Sequence, residues 1–118
     1  MSNIVTAPAL EKAPGDSGQY ALVFDDVIPA DVTISSVDSF SVEAASDGVS
    51  GLTISALQAN DSEYEDPDPN STATYRTGSV ALYSMSGGSA GDEYRVHLYV
   101  TLSNGWTREG IQPVKIVG

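Results

Sequence analysis

Five carboxylates crowd one short stretch of this 118-residue chain: Asp61, Glu63, Glu65, Asp66 and Asp68. Clustered carboxylates are the raw material of a Ca²⁺ site, which takes about six to eight oxygen ligands. An EF-hand loop also needs Gly at its sixth position and Glu at its twelfth. Counted from Asp61, those positions hold Asp66 and Thr72. The motif fails, so the stretch reads as a solvated acidic loop, with these five residues as its only metal candidates. Asp25 and Asp26 are adjacent, which in a strand would send their side chains to opposite faces. A glycosidase pair must converge on one bond, so a strand end or turn suits them better. His97, the single histidine, alternates with Val96 and Leu98 and is expected to face solvent or a partner. It has no nucleophile elbow to serve. Ser86-Gly-Gly-Ser-Ala-Gly91 resembles a phosphate cradle only superficially. Asp92 and Glu93 follow where a P-loop places Lys and Ser/Thr. The sequons at Asn60 and Asn70 have no expected export leader behind them. No catalytic residue and no cofactor is expected.

Composition closes further classes. Five Lys and Arg against 16 Asp and Glu give a formal charge of −11. A protein that grips nucleic acid or an anionic membrane through its surface needs clustered cations, so neither partner is expected. No cysteine is present, which removes disulfides and thiolate metal sites. The longest apolar run, Tyr20 to Phe24, is far below the ~20 residues of a membrane helix.

The elements that must position any site are strands. Val and Ile number 18 against 7 Leu, and β-branched side chains favour pleated surfaces over helices. Residues 1–18 are interrupted by Pro8, Pro14, Gly15 and Gly18, and read as an extended arm, disordered or lying against a neighbour. Residues 19–118 form the domain. Strand signals run through Gln19–Phe24, Val32–Val37, Ser39–Ala44, Gly51–Leu57, Ser79–Met85 and Tyr94–Thr101, with a turn at Ser46-Asp47-Gly48. Asn104-Gly105 suggests a type I′ hairpin turn into a partner starting near Trp106. Ile111–Val117 closes the chain, and Pro113 places it at an edge or bulge. About seven short antiparallel strands with turns between them predict an all-β, immunoglobulin-like β-sandwich with an extended N-terminal arm.

The order of elements carries a resemblance. Val80 through Ser86-Gly-Gly-Ser-Ala-Gly91 leads to Tyr94-Arg-Val, then Thr101-Leu-Ser-Asn-Gly105 and a final Val/Ile strand. Lys12-x-Pro14-Gly-Asp16, Tyr20 and Asp31-Val-Thr-Ile-Ser-Ser36 precede it. This layout, over roughly residues 12–117, resembles the fibre–tail adaptor family of small immunoglobulin-like proteins in tailed bacteriophage virions. The Asp61–Asn70 stretch looks like an insertion. The resemblance implies a structural module linking tail or neck to fibres, made in the host cytoplasm and placed in the virion. It implies no enzymatic activity and no cofactor. The implied partners are other virion proteins and copies of itself.

Adaptors need edges to which other chains can pair. The arm and the 113–117 edge are the expected places, with Ile4, Val5, Leu10, Trp106, Ile111, Val114 and Ile116 as interface residues, part of them buried only on assembly. Two other readings stand beside this one. The chain could be a capsid decoration protein, or a carbohydrate-binding module stacking sugars on Tyr83, Tyr99 or Trp106.

Overall fold

Strict alternation makes Glu93–Leu102 the most regular strand of the chain. In the computed structural model, which describes residues 4–13, 15–44, 52–66, 70–88 and 90–117, it is the central strand β9. Tyr94, Val96, Leu98, Val100 and Leu102 are all buried on one face. In chain order the other strands are β1 (Ile4–Thr6), β2 (Leu10–Lys12), β3 (Gly18–Val23), β4 (Ile34–Ala44) and β5 (Leu52–Ala59). They continue as β6 (Tyr64–Glu65), β7 (Thr74–Tyr75), β8 (Val80–Gly87) and β10 (Thr107–Ile116).

Two sheets enclose one core. The first runs β1-β10-β9-β4, with β2 also on β10, and the second runs β3-β8-β5. Leu22, Phe24, Ile54, Tyr83 and Met85 of one sheet meet Val96, Leu98, Val100, Val114 and Ile116 of the other. The all-β sandwich expected from the sequence is therefore present, with a separate β6-β7 pair beside it.

The strand inventory differs from the expectation in ways with physical causes. Ten strands lie among the described residues, six of them long and four of only two or three residues. The expected runs 32–37 and 39–44 are one strand, β4. Its register against β9 slips between Val37 and Ser39, so Asp38 sits in a bulge that reverses the alternation. Likewise Trp106–Thr107 and Ile111–Val117 belong to the single strand β10. Gly110 interrupts its pattern because a Cβ there would lie 2.3 Å from Leu22 Cδ2 and 2.6 Å from Phe24 Cζ. The Asn104-Gly105 turn is not type I′, for only Gly105 takes positive φ. Gly105 N donates to Leu102 O and Leu102 N to Trp106 O, a three-residue loop with Gly in the left-handed position. The acidic loop is not structureless, since β6 pairs with β7 across it. The expected turn at 46–48 lies outside the described residues.

The arm is the largest departure. Both β1 and β2 pair with β10 in parallel, so the sheet is not purely antiparallel and the 113–117 edge is covered by the chain itself. On β10, Ile111 O accepts from Ala7 N and Val117 N donates to Lys12 O, whereas Ile116 N donates to Asp92 O on the β9 side. Odd-numbered backbone groups of β10 thus face the arm, and the N–H that Pro113 lacks is one of them. The arm breaks there, at Ala7–Ala9, and Gln112 Nε2 donates to Pro8 O instead.

Candidate interaction surface

The residues singled out for chemistry do not converge. Asp61, Glu63 and Glu65 are exposed, Asp66 is half-buried, and Asp68 lies outside the described residues. Among the described residues no three His, Asp or Glu side chains gather to hold a metal ion. Asp25 and Asp26 form a single 3₁₀ turn, Asp25–Val27, where Asp25 pairs with Arg76 at 3.3 Å. Arg76 also donates to Pro29 O, so that corner is a structural clasp. His97 stands on the outer face of its sheet. Its Nδ1 lies 2.8 Å from Glu109 and its Nε2 3.5 Å from Glu43, which joins β10, β9 and β4 across three strands. A cross-strand clasp of this kind orders a sheet face.

The proposed stacking rings are separated by the core. Tyr83 is fully buried, beside Tyr20 at a ring separation of 6.1 Å, and cannot reach a sugar. Burial, and secondarily Tyr20, pushes its phenol well above the usual range, and its hydroxyl has no hydrogen-bond partner among the described residues. Tyr99 and Trp106 are exposed, the latter with the buried Arg108 guanidinium 5.4 Å from its ring centre.

The expected interface residues divide sharply. Val114 and Ile116 are core residues of this chain, buried against the second sheet, and Val5 and Leu10 pack half-buried on that core. Ile4 is 46% and Trp106 53% exposed. Ile111 is half-buried. Register places Ile4, Glu109, Tyr99 and Ser39 in one row across the outer sheet face, with Thr6, Ile111, His97 and Ser41 in the next. That face carries two exposed apolar side chains among hydroxyls and charges. Phe40, 42% exposed, lies on the β4 edge and was not singled out by its sequence pattern. Near it, hydrogen bonds from the Ser36 and Thr101 hydroxyls hold the Asp38 carboxyl below the usual carboxylate range and pin the bulge.

Two buried polar residues were also not anticipated. Lys12 is only 2% exposed, and its Nζ donates to Gly87 O at 2.7 Å and Ala13 O at 2.8 Å, tying the arm to the glycine turn. Asn60 is 4% exposed, and its Oδ1 accepts from the backbone N–H groups of Gly78, Ser79 and Val80. Its Nδ2 donates to Ser62 O and Arg76 O. Lys12 lies within a motif that the sequence did display, Lys-x-Pro-Gly-Asp, and Asn60 within a sequon whose Asn serves the fold.

The described residues thus form a sandwich with polar side chains clasping its strands and with exposed apolar side chains on a face, an edge and a turn. Residues 12–111 match the family described as podophage GP4 fiber-tail adaptor protein gp77, and the chain belongs to that family. Searches of curated proteins and of solved structures found no match.

Proposed function

We propose that this chain is a non-enzymatic adaptor of a tailed-phage particle, joining tail or neck to fibres through protein–protein contacts. The observation that carries the reading is the family match, which spans 100 of the 118 residues. The fold supports it. The strand order β3-β8-β5 against β4-β9-β10, with the arm in parallel on β10, is in keeping with an immunoglobulin-like module of B-E-D against C-F-G. Such sandwiches bind through faces, edges and end loops. Ile4, Tyr99 and Ile111 on the outer face, Phe40 on the β4 edge and Trp106 at the turn are the contact residues of this reading. Its partners are other virion proteins and neighbouring copies, with no nucleic acid or membrane surface, in keeping with a charge of −11. The protein is made in the host cytoplasm and acts in the virion. Particles assembled without this chain, imaged by electron microscopy, should have intact heads and lack fibres. In particles that contain the chain, its density spread over the head would instead indicate a decoration protein.

A further inference from the structure

We propose that the open edge of β3, residues 19–23, is a strand-acceptor site for an extended, Lys/Arg-bearing segment of a partner protein. Sheet edges recruit other chains unless something blunts them, typically a bulge, a proline, a charge or a short strand. The other edges of this sandwich carry such devices. β4 is bulged at Asp38, and β5 slips register between Ser55 and Gln58, where Ala56 takes a φ of 54°. The β10 edge is covered by β1 and β2, which have three residues each and are separated by Pro8. β3 has none of them. Its six residues, Gly-Gln-Tyr-Ala-Leu-Val, hold unbroken register with β8 and include no charge and no proline.

The backbone groups at this edge point outward. Phe24 N donates to Ser79 O, which fixes Tyr20 and Leu22 as the residues bonded to β8. On the far side of β8, Asn60 N donates to Val80 O, which agrees with that alternation. The N–H and C=O groups of Gln19, Ala21 and Val23 therefore face away from the sheet. They face two adjoining depressions of about 260 and 510 Å³ that share Ala21, Val23, Asp66, Tyr75 and Gln112. Leu10, Val5 and Ala7 of the arm line one side, and Tyr64 and Tyr75 the other. In an immunoglobulin sandwich the strand beside B is A. Here the arm lies on β10, and among the described residues no strand takes that place beside β3.

Charge selects the occupant. Asp26 and Asp66 line the groove, and none of its lining residues is Lys or Arg. A second copy of this chain would bring another −11, so like charge disfavours pairing of two β3 edges. The fitting occupant is an extended segment with small or apolar residues alternating with Lys or Arg, added by main-chain hydrogen bonds. This deepens the adaptor reading and rests on it only for the partner being a virion protein.

The test is an NMR titration of the full chain with a short synthetic peptide alternating Val with Lys and Arg, and with its Glu-for-Lys/Arg counterpart. Binding of the basic peptide alone, with shifts centred on Gln19, Ala21 and Val23, is expected. Ala21→Pro deletes an outward N–H without touching the β8 ladder and should weaken binding roughly tenfold, about the worth of one backbone hydrogen bond. If that variant does not fold, Asp26→Lys with Asp66→Lys decides, and should turn preference to the acidic peptide. Shifts centred on β4 or β5, no binding of the basic peptide, unaltered affinity in folded Ala21→Pro, or an unchanged charge preference would each overturn the site. Fibres that persist on particles lacking the chain would overturn the adaptor reading and leave the peptide result standing.

Discussion

Asn60 and Lys12 show how single polar side chains hold this sandwich. Asn60 satisfies five backbone groups around the start of β8. Asn60→Ala leaves the Val80 N–H without its acceptor, while Gly78 N and Ser79 N keep their bonds to Asn60 O and Arg76 O, and should cost roughly 1–3 kcal/mol in urea denaturation, with unchanged slope. Tyr83 is the opposite case, a buried hydroxyl with no hydrogen-bond partner among the described residues. Tyr83→Phe should therefore be neutral or stabilising by up to about 1 kcal/mol. The phenol also has a pH signature. Burial raises its folded-state pKa above the unfolded value near ~10, so its contribution is whole below that pH and is lost as pH rises through the alkaline range. Denaturation midpoints above pH ~10 should fall less steeply in Tyr83→Phe than in wild type. None of this was legible in the sequence. An Asn in a sequon and a Lys in an arm read as surface residues, because polarity signals exposure until a partner is known.

Among the elements, β9 and β3 were legible to within a residue, because strict alternation over a buried face has one solution. β4 and β10 read as two pieces each. The Asp38 bulge shifts the phase in one, and Gly110 and Pro113 break the apolar pattern in the other. The arm's place was illegible for another reason. Parallel pairing of residues 4–12 with 109–116 leaves no local pattern, since its partners are about a hundred residues apart. Two predictions belong here. Gly110→Ala drives a methyl into Leu22 and Phe24 and should cost about 1–3 kcal/mol by overpacking between the sheets. Lys12→Met removes the bond from the arm to Gly87 O at the glycine turn, along with the local one to Ala13 O. Hydrogen exchange at Ala7 and Val117, which bridge arm and β10, should quicken by about tenfold or more, while β9 amides hold their protection.

The molecule as a whole joins a strongly acidic composition to a few exposed apolar side chains, Ile4, Phe40, Tyr99 and Trp106. Like charge of this size opposes the association of unassembled copies in solution. The sequence displayed that acidity and the sandwich. It placed two core residues, Val114 and Ile116, among the contacts, because alternation alone does not say which face of a last strand is covered. It also missed the β3 edge, whose openness follows from where the arm goes. The proposed role of the chain is to fasten fibres to the tail. Electron microscopy of particles assembled with and without it measures this directly. Particles lacking the chain should lose their fibres and regain them when it is supplied. Particles that keep a full set of fibres in its absence would contradict that role.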